Sequence, residues 1–372
     1  MRVLFTHRAL EKRAGTELVT LELARGLRER GHQPIVYSTR LGAVAEEFHR
    51  ATIPLVDDLA KLTVPPDLIH GQHHLDALTA LLHFPGVPAI HVCHGWLPWE
   101  EAPLVFPRIR RYVAVDETTR DRLEFAGAIP PERIEILLNT VDLTQFPPRP
   151  TLPERPRRAL VFSNQADEST HLPALRQACR NAGIAVDVAG RAAGRSVARP
   201  GELLPSYDLV FAKGRSTLEA LAVGCAVVVC DADGLGELVT TENFPRLRQR
   251  NFGFRCLARP VTAAAAAVEI ARYDAADAAA VSRLVRAEAG LDAAVDRYLE
   301  LYQRVVDEHR ELPAPTALEE SRATAIYLRS LGAGMRAELE AFQNTTAWKL
   351  RRRLLASPLL SRLYRGLRRL VS

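Results

Sequence analysis

Short apolar runs and helical stretches alternate along this chain in two rounds, separated by a proline-rich break. That double alternation constrains the fold more than any other feature. In the first round, residues 3–6, 34–38, 68–70, 89–92, 112–115 and 134–138 read as buried strands. A helix is predicted over 16–30, with Leu18, Leu21, Leu23, Ala24 and Leu27 as its apolar stripe and Gly31 closing it. Residues 146–158 are proline-rich and basic and read as a linker. The second round has strands at 159–162, 185–189, 209–211 and 226–230 and helices at 171–182 and 217–223. Leu291, Val295, Tyr298, Tyr302 and Val305 then space out along a further helix. Strands alternating with helices imply a parallel sheet covered on both faces. The expectation is an α/β protein of two Rossmann-like, doubly wound domains, 1–147 and 158–310, with a ligand in the cleft between them.

A helical segment, 314–372, is appended. In it Leu328, Leu331, Met335, Leu339 and Phe342 follow a 3-4-4-3 spacing that suits one helix packing on a partner, so a homo-oligomer is allowed. From Trp348 onward there are eight Lys and Arg residues and no acidic one; without them the net charge of +5 becomes −3. Basic charge confined to one end removes the case for nucleic-acid binding. Leucines and aromatics alternate with these arginines at helical spacing, and Pro358 divides the tail into two short helices. Residues 348–372 are therefore expected to rest on an anionic membrane surface.

No stretch approaches the roughly 20 apolar residues that cross a bilayer, and the first residues are too short an apolar run for a signal peptide. The expected location is the cytoplasm, at the inner face of the membrane. Cys93, Cys179, Cys225, Cys230 and Cys256 show no metal-ligand spacing and read as reduced core thiols.

The segment most informative for chemistry runs from Asp208 through Lys213-Gly214-Arg215-Ser216-Thr217-Leu218-Glu219 to Gly224. A strand enters a glycine turn and then a helix, whose free N–H groups and dipole favour an anion. Lys213 and Arg215 add full charges, and Glu219 is placed to accept hydrogen bonds from a ribose diol. The same residues also admit a plain capping box, Ser216 with Glu219.

The span from Asp208 to Glu237 resembles the donor-binding signature of GT-B glycosyltransferases. It is most similar to the large, mostly retaining family that includes sucrose synthases and bacterial envelope mannosyl- and glucosyltransferases. Ala14-Gly15-Thr16-Glu17 with Leu23-Ala24-Arg25-Gly26-Leu27 is similar to that family's glycine loop and first helix. Tyr112 to Asp116, Ile134 to Phe146 and Asp292 to Tyr302 resemble later landmarks in the same order. The resemblance implies transfer of a sugar from a nucleoside-diphosphate sugar to a hydroxyl of a glycan acceptor, lipid-linked in related envelope enzymes. It implies catalytic roles for His94 and Lys213. Donor contacts would come from Asn164, Gly214, Arg215, Ser216, Thr217 and Glu219, and an acceptor or diphosphate loop from Gly15, Thr16 and Glu17. Thr16 can also be read as the helix N-cap. His73, His74 and His91 read as polar loop or packing residues.

Two departures stand out. Where relatives carry two glutamates separated by seven residues, the first position is Phe211. The loop after the first strand of the second domain, Ser163 to Asp167, lacks the usual Arg and Lys, leaving Lys213, Arg215 or Arg191 to neutralise the diphosphate. No acidic pair of the Asp-x-Asp kind is read at a strand end, so neither metal nor cofactor is expected. A UDP-sugar epimerase and a catalytically inactive GT-B scaffold are the alternatives. Replacing Lys213 by Ala is expected to abolish turnover with little loss of folding.

Overall fold

The computed structural model describes residues 1–11 and 13–356. The chain forms two compact units, one of residues 1–104 and 108–314, the other of 105–107 and the segment from Pro315 onward. The first unit holds both sheets.

Its first half runs β1 (Arg2–Thr6), α1 (Gly15–Glu29), β2 (Gln33–Tyr37), α2 (Ala45–Arg50), β3 (Leu55–Val56), β4 (Leu68–Gly71), α3 (His74–His83), β5 (Ala89–Cys93), β6 (Ile109–Ala114), α4 (Glu117–Gly127) and β7 (Ile134–Ile136). All seven strands are parallel, in the order β3-β2-β1-β4-β5-β6-β7. The chain builds outward from β1 on one side and then from β4 on the other, so the winding reverses between β1 and β4. At that point the Thr6 hydroxyl donates to the Gln72 carbonyl at 2.8 Å, and the Gln72 amide donates to Thr20 Oγ1 at 2.9 Å, tying both strand ends to α1.

The second half runs β8 (Arg158–Phe162), α5 (Leu172–Asn181), β9 (Ala185–Ala189), α6 (Pro200–Leu203), β10 (Leu209–Ala212), α7 (Arg215–Val223), β11 (Ala226–Asp231), β12 (Gly234–Leu238), α8 (Phe244–Gln249), α9 (Ala263–Ala271), α10 (Ala275–Glu288) and α11 (Leu291–Glu311). The order is β12-β11-β10-β8-β9, parallel except for β12, and the winding reverses between β8 and β10.

Helix α11 follows the second sheet in sequence but packs on the first. Val295, Tyr298, Leu301, Tyr302 and Val305 share a core with Val3, Phe5, Leu23 and Val92. Gly26 on α1 makes this possible, since a Cβ there would lie 2.5 Å from Val295 Cγ2. The Tyr302 hydroxyl and His70 Nδ1, both buried, meet at 2.6 Å. The two halves are also joined at Asn251, whose Oδ1 accepts from the Asn139 N–H at 3.2 Å and whose amide donates to the Val115 carbonyl.

Two local readings change. Helix α1 begins at Gly15 with Ala14 as its N-cap, so Thr16 lies inside the first turn and does not cap it. Helix α7 begins at Arg215 with Gly214 as N-cap and no side-chain cap bond, so Ser216 and Glu219 form no capping box. Glu219 takes Arg215 as its partner instead.

The second unit contains α12 (Ala317–Asn344), opened by a Thr316–Glu319 capping box, and α13 (Thr346–Ala356). Leu328, Met335, Leu339 and Phe342 are exposed. The Arg351 guanidinium stacks 4.9 Å from the Trp348 ring. The remainder of the basic tail, Pro358 included, lies outside the described residues.

Candidate active site

In open α/β sheets, ligands bind beyond the carboxyl ends of the strands where the winding reverses. The reversal point of the second sheet opens onto a cleft of about 620 Å³, walled on its other side by the start of α1, while residues just beyond the first sheet's reversal, His7 and His73, line a separate hollow. Gly15, Leu18 and Glu22 line it from the first half, and Asn164, Lys213, Arg215, Ser216, Glu219 and Asp231 from the second. Six of the residues that the sequence suggested therefore meet in one place: Gly15, Asn164, Lys213, Arg215, Ser216 and Glu219.

Each is set by its element. Lys213 follows β10 and reaches across to the end of β11, where its Nζ lies 2.6 Å from Asp231 Oδ2 and 3.0 Å from Asp233 Oδ2. Burial alone would lower the Lys213 pKa, but the two carboxylates outweigh it and hold the ammonium more basic than usual. Asp231 is drawn below the usual carboxylate range because Lys213 and the Ser163 hydroxyl, which donates at 2.6 Å, overcome the effect of burial. Asp231-Ala232-Asp233 is thus an Asp-x-Asp pair at a strand end, contrary to the sequence reading, and a lysine ammonium sits between its carboxylates.

Arg215 is likewise already paired. Its Nε donates to Glu219 Oε1 at 2.7 Å, Nη1 donates to Glu22 Oε2 at 3.0 Å, and Nη2 donates to Glu22 Oε1. Glu22 belongs to α1, so this ion triad bridges the two halves. The expectation of two free cations in the turn is therefore corrected. Of the cations that line this cleft, Arg13 pairs with Glu47, and Arg191 makes no ion pair among the described residues. Its backbone is held by Asn164 Oδ1 at 3.1 Å. Gly190 allows that loop to close, because its φ of +147° and the Ser163 carbonyl, 1.8 Å from a hypothetical Cβ, exclude any side chain.

Other suggested residues fall elsewhere. Thr217 is fully buried, with an unpartnered hydroxyl, and is absent from the cleft wall. Gly214 (φ +62°) caps α7 and supplies its turn without lining the cleft. Thr16 and Glu17 line a second hollow of about 490 Å³, together with His7, Arg8, His73 and Arg191. His94, just beyond β5, lines neither. Its backbone N–H donates to Glu101 Oε2 at 2.9 Å, and its Nε2 has no partner.

His94 belongs to a histidine cluster at the mouth of the first sheet. Burial lowers its pKa, opposed by Glu101 and assisted by His73. Burial, then the neighbouring His73 and His94, bring His7 down to about 3. Burial raises Glu101, but the His73 hydrogen bond and the nearby His94 outweigh it and hold the carboxyl at about 2. His73, read from sequence as a loop or packing residue, lines the second hollow in a left-handed conformation (φ +56°), with its Nε2 3.4 Å from Glu101 Oε1. His91 keeps its packing role inside β5.

Sequence reasoning missed Glu22, Asp231 and His7. Asp231 carried a signal, since it closes β11, the strand that pairs with β10 just before Lys213. Glu22 carried none, because its position on α1 looks like any polar residue beside an apolar stripe.

Two facing doubly wound domains with a cleft between them define the GT-B fold of glycosyltransferases. Residues 13–145 match the family model described as Glycosyltransferase Family 4, and the two sheets have the GT-B architecture. Among solved structures it is similar to a glycosyltransferase from Rickettsia africae (16% identity, TM-score 0.60, covering 82% of this chain and 98% of that one). It is similar to Anabaena HepE, solved with UDP and glucose (16%, 0.61, 82% and 99%). It also resembles sucrose-phosphate synthase from Thermosynechococcus elongatus (12%, 0.55, 82% and 98%). At these identities the likeness establishes the fold. A sequence comparison with curated proteins gives no match.

Proposed function

We propose that the chain moves a sugar from a nucleoside-diphosphate sugar to a hydroxyl of a lipid-linked glycan acceptor in bacterial envelope polysaccharide synthesis. The observation that carries this reading is the convergence of Lys213, Ser216, Asn164 and Glu219 on one cleft at the reversal point of the second sheet. Structures of Anabaena HepE, which shares the fold, contain UDP or UDP-glucose. The diphosphate sits against the start of α7, where N–H groups and the helix dipole favour it. Lys213 and the unpaired Arg191 take up charge on the leaving group. The Lys213 ammonium already stands between Asp231 and Asp233, which supports metal-independent transfer without a cofactor. His94, neutral and with an unpartnered Nε2, is assigned to the donor-sugar side, and Gly15, Thr16 and Glu17 to the acceptor side.

The test is a panel of nucleotide sugars scored by melting temperature and by nucleoside-diphosphate release. One or more should raise the melting temperature by several degrees at saturation and release diphosphate in the presence of acceptor. No shift across the panel overturns the reading, and an epimerised sugar replaces it with the epimerase.

The basic tail assigns the enzyme to the cytoplasmic face of the membrane. Among the described residues no helix is long and apolar enough to cross a membrane, and α13 presents Leu350 beside Arg351, Arg352 and Arg353. Each basic residue contributes about 1 kcal/mol on an anionic leaflet. The full chain should pellet with anionic liposomes, less so as salt rises, and deletion of residues 345–372 should abolish pelleting. Equal pelleting of the truncated chain overturns the assignment.

A further inference from the structure

The Glu22–Arg215–Glu219 triad has a charge that its one guanidinium does not cancel, with Arg13 of the same cleft acting on Glu219 only through space. Two carboxylates share one guanidinium, so the group carries a net −1, while the side chains of Glu22 and Glu219 are each only 7% exposed. A buried excess charge is costly unless hydrogen-bond donors satisfy it. Burial raises the Glu219 pKa despite the opposing effect of Arg215, and Glu219 Oε2 has no protein partner among the described residues. The site therefore lacks donors.

A diphosphate cannot supply them, because its ionised oxygens accept hydrogen bonds and donate none. The hydroxylic parts of a nucleotide sugar can. Glu219 stands on α7 in the nucleotide half, where the ribose diol falls. Glu22 is the only carboxylate among the described residues that the first half contributes to this cleft, and it lies on the same helix as Gly15. In the second half, the strand position where the resemblance leads one to expect a first glutamate, separated from Glu219 by seven residues, holds Phe211. That residue is fully buried and lies between Val161 and Val228 in the sheet.

We infer that Glu22 supplies, from the opposite domain, the carboxylate that binds hydroxyls of the transferred sugar, with Arg215 as the residue that positions it. The inference rests on the nucleotide-sugar reading above. Arg215 occupies both Glu22 oxygens from one side and leaves their remaining lone pairs to the sugar. Binding of the sugar thereby draws on both domains at once, whereas the nucleotide draws on the second domain alone.

The experiment compares affinities for UDP, UDP-glucose, UDP-galactose and GDP-mannose, with GDP as the second nucleotide, in the full chain and in Glu22→Gln and Glu22→Asp. In the unaltered chain the preferred sugar nucleotide should bind more tightly than its nucleotide. Glu22→Gln should lose at least tenfold of sugar-nucleotide affinity and keep nucleotide affinity within about threefold. Glu22→Asp, which retains the charge and its pairing with Arg215, should change the order of preference among the sugars. A sugar increment unchanged in both variants overturns this inference alone, as does an equal loss for nucleotide and sugar nucleotide, which would make Glu22 a structural brace. An unaltered chain that binds no member of the panel overturns it together with the functional reading.

Discussion

The mouths of the two sheets solve opposite electrostatic problems. The first gathers His7, His73, His91 and His94 around Glu101, and burial keeps most of these imidazoles neutral. The second holds each of its two cations between two carboxylates, Lys213 between Asp231 and Asp233 and Arg215 between Glu22 and Glu219. Neutral imidazoles tolerate a low-dielectric wall and leave their ring nitrogens for a neutral hydroxyl. Paired ions can exchange a partner for a charged ligand without leaving a bare charge. On the function proposed above, the contrast matches anion chemistry in the second half and hydroxyl chemistry in the first.

The largest effect expected from this contrast is on turnover. Lys213→Ala should lower kcat by roughly 10²–10³-fold, the range for removing one preorganised transition-state donor, with Lys213→Arg retaining a measurable share. The structure amends the expectation that folding is spared. Asp231, with a side chain only 9% exposed, loses its counter-ion, so Lys213→Ala should also lower the unfolding midpoint. Unchanged turnover in Lys213→Ala would break the contrast.

The next effect is on stability in mild acid. His7 and His91 are held at about 3 in the fold, chiefly by burial, against an ordinary 6.5. In the unfolded chain these imidazoles take up protons first as pH falls, so their contribution to stability is complete above 6.5 and declines toward 3. Glu101, at about 2 against 4.5, adds a loss between those values. Urea unfolding followed by Trp96 and Trp99 fluorescence should weaken by about 1–2 kcal/mol per buried histidine between pH 6.5 and 4.5. His91→Leu should make that slope shallower. A flat profile over this range refutes the neutral-histidine reading.

The smallest effect is expected away from both mouths. Arg304 on α11 pairs with Glu135 on β7 at 2.6 Å, but its side chain is 53% exposed. Arg304→Ala should therefore change unfolding stability by less than about 1 kcal/mol, and a larger loss would show that α11 depends on more than its apolar face.

The strands and helices were legible because their apolar periodicity is local, as in Leu18 to Leu27 of α1 or Ala226 to Cys230 of β11. Part of the site was legible for the same reason, since Lys213, Gly214, Ser216 and Glu219 sit together on one strand–turn–helix. Which of them face the cleft was not legible. Thr217 differs from Ser216 by one position, yet a rotation of about 100° along the helix turns it into the core.

Periodicity and turn chemistry act between neighbours in the chain, so the sequence alone determined the two α/β rounds, the strand–turn–helix at Lys213 and the basic end. Only the tertiary structure decided that α11 returns to the first sheet, that Lys213 lies between Asp231 and Asp233, and that Glu22 meets Arg215. Glu22 and Arg215 stand 193 positions apart. Charges so distant in sequence find each other only after the packing of two separate cores has brought their helices to the same cleft.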